Sequence, residues 1–337
     1  MSDPITIGVV GAGAVAQVAH LPVLARMDGV AVTAICDNDT SKARSLAGRF
    51  SVPNVFDDIE DLLSSAQPDA VVICTPNHLH EIHAKTALSA GAHVLCERPV
   101  ALSVDGVREV ISAQQRAERI VMAGFNYRYR ADVQAVKSFL ERGELGRLHA
   151  IRGGWYTFRP SRQALGWRQR REQSGGGAML DLGLGLIDLS LWLAGNPVPR
   201  QVTASFSRSE GESDSVEDAG CALIRCDGGI TLVVDVSWHW VGESEHFWFG
   251  VHGSEGSATI SPLRVFKEMN GSAVDVTPTG ASGRENPFTT SYAAEWASFV
   301  AAIKGNVAAP SLQDQVVVHQ VMEAMFQSAR EGGTVEL

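Results

Sequence analysis

ITIGVVGAGAVA, residues 5–16, decides the fold. Ile5 to Val10 is an unbroken apolar run of strand length, and Ala16, Ala19, Val23, Leu24 and Met27 then recur on one helical face. Between them stands Gly11-Ala-Gly13-Ala-Val-Ala16, a G-x-G-x-x-A turn in the strand–turn–helix context of a dinucleotide-binding fingerprint. Gly11 permits the tight turn, Gly13 lets the backbone approach a pyrophosphate, and Ala16 keeps the helix close to the strand. Ala14 and Val15 open the helix, where unpaired N–H groups and the positive dipole end suit phosphates. A second apolar run, Val30 to Cys36, ends at Asp37. A carboxylate there takes the adenosine ribose hydroxyls and repels a 2′-phosphate, so NAD is favoured over NADP. A helix-capping role for Asp37, or Asp39 in its place, is the alternative.

Outward from this unit, Ala70 to Cys74, His93 to Cys96 and Ile120 to Ala123 read as further buried strands separated by helical stretches. That rhythm gives an α/β doubly wound parallel sheet, a Rossmann domain over residues 1–123. From Gly124 the pattern changes. Leu148 to Thr157, Gln201 to Ser207, Ala219 to Ile224, Ile230 to Trp238 and Phe247 to Val251 follow one another with turn signals such as Asp227-Gly228-Gly229. They predict a large, open, mostly antiparallel α+β sheet in a second domain, residues 124–337, for substrate binding and oligomerisation. One helix, about Gly177 to Leu193, lies between these strands, and helices at about 292–303 and 312–330 close the chain, where they can pack back on the first domain. Thr75-Pro76-Asn77-His78-Leu79-His80 falls at the carboxyl edge of the first sheet, where ligands of such sheets bind; prolines and asparagines also simply make turns.

A net charge of −10 and a pI near 5.5 argue against a nucleic-acid partner, which needs a basic stripe. The one dense basic cluster, Arg168, Arg170 and Arg171, reads as a solvated loop or as an anion contact. Five cysteines without metal-type spacing, Cys36, Cys74, Cys96, Cys221 and Cys226, fit free thiols in a reducing cytoplasm. Residues 4–25 carry no charge, but the run is broken by Gly8, Gly11, Gly13, Gln17 and His20 and no basic segment precedes it, which argues against membrane insertion. No His/Cys/carboxylate cluster has metal-ligand spacing. Trp238, Trp240, Phe247, Trp248 and Phe249 form an aromatic stretch expected to pack between subunits of a homodimer or homotetramer.

These motifs, with Glu97-Arg98-Pro99, Gly124-Phe-Asn-Tyr-Arg128, Gly175-Gly-Gly177, Asp181-Leu-Gly183 and Gly253-Ser-Glu-Gly256, resemble the glucose-fructose oxidoreductase, inositol dehydrogenase and rhizopine-catabolism (Gfo/Idh/MocA) family nearly end to end. The resemblance implies oxidation or reduction of a sugar, polyol or related hydroxyl carbon with NAD(P). It implies that Thr75, Pro76, Asn77, His80, Glu97, Arg98, Asn126 and Trp167 join the glycine-rich turn around the cofactor. It also implies a Glu-Lys-Pro lysine near the nicotinamide and an Asp-x-Gly-x-His histidine that exchanges the hydroxyl proton. This sequence departs at both, with Arg98 and Gly185.

Arginine stays protonated and cannot be a base, so Arg98 is left with binding and charge stabilisation. Asp181, Gly185 and Asp188 are spaced to share one helical face, and the missing imidazole is either drift or room for a larger substrate. Asp181 acting through water, or a tyrosine such as Tyr127 or Tyr156, can replace the lost group; Tyr127 follows the last strand of the first domain, though a packed aromatic there is the plainer reading. His239 and His246 read as buried or interface histidines. The chain therefore reads as an NAD-dependent oxidoreductase with an altered proton-transfer site. The rivals are a cofactor-binding sensor or regulatory protein without hydride transfer, and a lyase or epimerase working through transient oxidation.

Overall fold

The computed structural model describes residues 3–159, 162–208, 216–279 and 286–337, with backbone alone at 162–165. The chain forms two compact units, Met1–Tyr129 with Glu285–Gln315, and Arg130–Arg284 with Val316–Leu337.

The first unit is built on β1 (Ile5–Val10), β2 (Val30–Cys36), β3 (Asn54–Phe56), β4 (Ala70–Ile73), β5 (His93–Glu97) and β6 (Val121–Gly124). They lie in the order β3-β2-β1-β4-β5-β6, every pair parallel. This is the Rossmann order, and it reverses between β1 and β4. The runs are apolar because parallel strands are covered on both faces; Ala70 to Ile73 is buried throughout. Asp39, Asp58 and Ser103 cap three of the helices that follow, each side chain accepting from a first-turn N–H. The helix Pro287–Ile303 belongs to this unit: Tyr292, Trp296, Phe299 and Val300 recur at helical spacing and enter the core of Ile7, Val9, Leu21 and Ile35.

The helix after β1 begins with a π turn, Ala16–His20, before Leu21–Leu24. The wider turn takes one more residue than an α turn, and His20 is fully buried within it.

The second unit carries β7 (Leu148–Tyr156), β8 (Pro199–Ser207), β9 (Ala219–Cys226), β10 (Thr231–Ser237), β11 (His246–Gly253), β12 (Gly256–Ile260), β13 (Arg264–Met269), β14 (Ser272–Asp275) and β15 (Val335–Glu336). Their order is β14-β13-β12-β11-β7-β10-β9-β8-β15. All pairs are antiparallel except β10 with β7. Strict alternation along β10 turns Leu232, Val234 and Val236 inward, where the helix Leu184–Leu193 packs against β10 and β7. The segment Arg171–Leu193 is long and apolar enough to cross a membrane, but 83% of its most apolar window is buried, as in a core helix.

One expectation is corrected here. Trp238 and Phe249 do not lie on the open face: Trp238 continues the inward series of β10 and is 1% exposed, and Phe249 is buried over Gly153, whose Cβ would lie 2.6 Å from its ring. Trp240, Phe247 and Trp248 remain partly exposed. Of the three positions read as sharing one helical face, Asp181 and Gly185 are partly exposed and Asp188 is buried; Met179–Gly183 is a second π turn ahead of Leu184–Leu193.

Candidate functional site

In the first unit the glycine-rich turn fits a dinucleotide on steric grounds. Gly11 has φ +98°, and a Cβ on it would lie 2.7 Å from the carbonyl carbon and oxygen of Cys74, at the exit of β4. The turn is thus seated at the reversal between β1 and β4, the ligand crevice of such sheets. Gly11 and Ala16 are buried while Gly13, Ala14 and Val15 reach solvent, so the helix start is presented outward. Asp37 is fixed from both sides: Ala12 N donates to Oδ2 at 2.7 Å and Asp39 N to Oδ1 at 2.9 Å, with Lys42 Nζ 3.5 Å from Oδ2. Asp39, not Asp37, caps the next helix.

Thr75, Pro76 and Asn77 line the loop after β4, all partly exposed. His80 is buried, with Nε2 2.7 Å from the Thr75 carbonyl and Nδ1 2.6 Å from the Pro99 carbonyl, so it ties the loops after β4 and β5 together. Burial lowers its pKa, opposed by those carbonyls. Asn126 is buried and donates to Ser291 Oγ at 2.9 Å. Tyr127 is half-buried on the turn Asn126–Tyr129.

Glu97, at the end of β5, is the hub of a network that the sequence did not reveal. Trp296 Nε1 donates to His20 Nδ1 at 3.0 Å; indole nitrogen can only donate, so the His20 proton sits on Nε2 and is given to Glu97 Oε1 at 2.9 Å. Tyr292 donates to the same oxygen at 3.3 Å. Burial pushes the Glu97 carboxyl up, but the His20 bond and the nearby Arg98 charge outweigh it and leave its pKa lowered. Beside it, Glu295 is fully buried, and neither oxygen has a hydrogen-bond partner among the described residues. Burial and the Glu97 charge hold its pKa well above the carboxylate range. Arg98, half-buried, contributes its charge to Glu97, Tyr292 and Glu295.

The second unit holds Asp181. The Gly175-Gly-Gly177 run is explained by close approach: a Cβ on Gly176 would lie 2.7 Å from Phe326, and one on Gly177 would run into the Glu217 carbonyl. Glu217, buried, accepts from Gly177 N at 2.8 Å and Met179 N at 3.1 Å and so caps the start of the helical segment. From Ala178 to Leu191 every residue is buried except Asp181 and Gly185, one turn apart. Asp181 Oδ2 accepts from Arg159 Nη2 at 2.6 Å and from Trp238 Nε1 at 3.1 Å, and Arg168 Nε lies 3.9 Å from Oδ1. Two guanidinium groups and an indole therefore hold Asp181 as an acceptor.

Trp167 is half-buried in this unit, with the Arg168 guanidinium 4.5 Å from its ring centre. Tyr156 is committed elsewhere: its hydroxyl donates to Asp235 at 2.8 Å, and burial and that carboxylate push it up to about 12. His239 Nε2 is 3.4 Å from Asp218 and half-exposed, and His246 is exposed and stacked on Trp240. In the loop 156–173, residues 160–161 lie outside the described residues. Among the described residues no group of three or more His, Cys, Asp or Glu is placed to hold a metal. Gly11, Gly13, Asp37, Thr75, His80, Glu97, Arg98, Asn126 and Tyr127 all lie in the first unit, and Trp167 and Asp181 in the second. Arg159, Trp238, His20 and Tyr292 were not singled out as site residues in the sequence.

Comparison with known proteins is consistent along the chain. Residues 5–125 match a family model described as an oxidoreductase family with an NAD-binding Rossmann fold, and residues 133–259 match the GFO/IDH/MocA C-terminal domain. D-glucoside 3-dehydrogenase of Escherichia coli strain K12 is 27% identical, with 100% of this chain and 98% of that protein covered. D-apiose dehydrogenase of Paraburkholderia graminis is 26% identical, covering 94% and 86%. The crystal structure of GenD2 from gentamicin A biosynthesis in complex with NAD gives a TM-score of 0.86 at 27% identity, over 100% and 97% of the two chains. Levoglucosan dehydrogenase in complex with NADH shares the fold, with a TM-score of 0.90 at 24% identity over 99% of each chain.

Proposed function

Because the chain belongs to the Gfo/Idh/MocA family of NAD-binding oxidoreductases, we propose that it moves a hydride between NAD and a hydroxyl carbon of a sugar, polyol or sugar derivative, with water as the hydroxyl-proton acceptor. The relatives named for D-glucoside, D-apiose and levoglucosan support the substrate class. The observation that carries the proton step is the partial exposure of Asp181 and Gly185 in the stretch Ala178 to Leu191, where every other residue is buried.

Gly11, Gly13, Ala14 and Val15 would hold the pyrophosphate, and Asp37 the adenosine ribose. When bound, NAD supplies the hydride acceptor. A guanidinium such as that of Arg98 can stabilise developing negative charge beside the cofactor but cannot act as the base. Asp181, fixed by Arg159 and Trp238, accepts hydrogen bonds from substrate hydroxyls and orients them. Gly185 offers no side chain, so water at that position receives the proton. Losing a positioned base slows such a step by about 10²- to 10⁴-fold. The five cysteines are all free, which supports a reducing cytoplasm, and the exposed Trp240 and Val241 support a homo-oligomer.

The test is NADH absorbance after mixing the NAD-loaded protein with polyols, aldoses, sugar acids and nucleotide sugars. NADH from at least one is expected; silence from all, with NAD binding verified, counts against the proposal. With the responding substrate, Gly185→His should raise turnover at least about tenfold and add an ionisation near the free-histidine pKa of about 6.5. A folded variant without either change removes water from the proton step.

A further inference from the structure

The helix that follows the glycine-rich turn is bonded to the far half of its own sheet. In a sheet that reverses between β1 and β4, each half takes one nucleotide of a dinucleotide. Gly11 follows β1 and Asp37 follows β2, so the nicotinamide nucleotide falls to the half built on β4, β5 and β6, and Glu97 ends β5. His20, in the π turn of the helix after β1, gives its Nε2 proton to Glu97 Oε1 at 2.9 Å. The His20 side chain is 0% exposed, so water satisfies neither ring nitrogen. Trp296 Nε1 donates to Nδ1 at 3.0 Å, and the rings of Tyr292 and Trp296 stand edge-on to the imidazole, at 5.1 Å and 5.9 Å between centres. One tautomer and one orientation of His20 result.

The two donors that reach the Glu97 carboxyl, from His20 and Tyr292, both end on Oε1. Oε2 makes no hydrogen bond among the described residues, and the side chain is 13% exposed. One oxygen is thus anchored from the core while the other keeps its acceptor capacity. We propose that His20 and Trp296 are positioning residues for the nicotinamide half of the cofactor site: they hold Oε1 of Glu97 so that Oε2 accepts a hydrogen bond from the nicotinamide riboside, from a ribose hydroxyl or the carboxamide N–H. The same chain of bonds ties that contact to the helix that seats the pyrophosphate. This link rests on the NAD binding of the family and not on turnover of any sugar.

The experiment is isothermal titration of wild type, Glu97→Gln and Trp296→Phe with NAD, ADP-ribose and ADP, together with nitrogen NMR of the histidine rings. Glu97→Gln keeps the shape and an acceptor for His20 but removes the charge, and NAD affinity should fall about tenfold, the worth of one hydrogen bond to a charged group. Trp296→Phe keeps an aromatic ring and leaves Glu97 in place but frees the His20 tautomer, and NAD affinity should fall at least about threefold. ADP, which lacks the distal riboside, should bind both variants within about twofold of wild type. ADP-ribose weakened along with NAD identifies a ribose hydroxyl as the donor, and ADP-ribose unchanged identifies the carboxamide. In wild type the His20 proton should sit on Nε2, and Trp296→Phe should populate the other tautomer. ADP weakened as much as NAD would mean a packing role and overturn the link. So would NAD affinity unchanged in either variant, or a wild-type His20 protonated on Nδ1. The wild-type spectrum and the Glu97→Gln titrations alter no fully buried residue, so they decide the matter even where Trp296→Phe does not fold.

Discussion

Replacing Glu295 by Gln tests the charge state of the acid buried in the first unit. Glu295 is 0% exposed, and neither of its oxygens has a hydrogen-bond partner among the described residues. Burial first, and the Glu97 charge second, raise its pKa well above the usual value, against weaker opposing pulls from Arg98 and the Phe125 backbone. The folded chain therefore keeps a proton over a range in which the unfolded chain has already released it. Its stabilising contribution is full below the unfolded pKa of about 4.3 and is lost as pH rises through the folded pKa, at about 1.4 kcal/mol per pH unit. Glutamine has the shape of the protonated acid and cannot ionise. Between about pH 5 and the folded pKa, wild type should lose stability relative to Glu295→Gln at that slope, roughly 3–6 °C in Tm per pH unit for a domain of this size. Parallel thermal melts of the two proteins from about pH 5 to about pH 8 measure the gap. Parallel curves, or a variant less stable by a constant amount, would refute the neutral acid and mean that Glu295 is ionised and paired.

Two further substitutions separate the cofactor half from the substrate half. Gly11→Ala must place a Cβ 2.7 Å from the Cys74 carbonyl at a φ of +98°, so the turn shifts and NAD affinity should fall at least about tenfold; unchanged affinity in a fluorescence titration would remove Gly11 from the cofactor site. Trp238→Phe keeps an aromatic ring beside Arg159 but deletes the donor to Asp181, worth about 1.5 kcal/mol for a bond to a charged group. The KM for sugar should rise about tenfold with NAD affinity unchanged, and a matching loss of NAD affinity would mark a general packing role instead.

The first sheet was legible because its strands are covered on both faces and so appear as apolar runs. Asn54–Phe56 was not: it is a three-residue edge strand with no buried position. The same reason hides β14, whose four residues are all exposed. A strand with no buried face leaves no period in the sequence. The apolar face of Pro287–Ile303 was readable as helix, but which core Trp296 and Phe299 complete is a contact between distant segments, and periodicity carries no address.

The candidate site divides along the same line. Gly11, Gly13 and Asp37 are close in sequence, and their chemistry follows from a turn and a strand end. The Glu97 hub joins residues separated by 77 and 195 positions, and Trp296 reaches His20 across 276, so no local pattern announces it. Trp238 is different, because its signal was present: Leu232, Val234 and Val236 turn inward, and strict alternation carries Trp238 inward with them. Grouping it with the neighbouring aromatics placed it on the wrong face. Spacing alone did not show that Asp188 is buried while Asp181 and Gly185 reach solvent. Between Ala178 and Leu191 only Asp181 and Gly185 are not buried, so this helical stretch exposes the carboxylate together with the position that lacks a side chain.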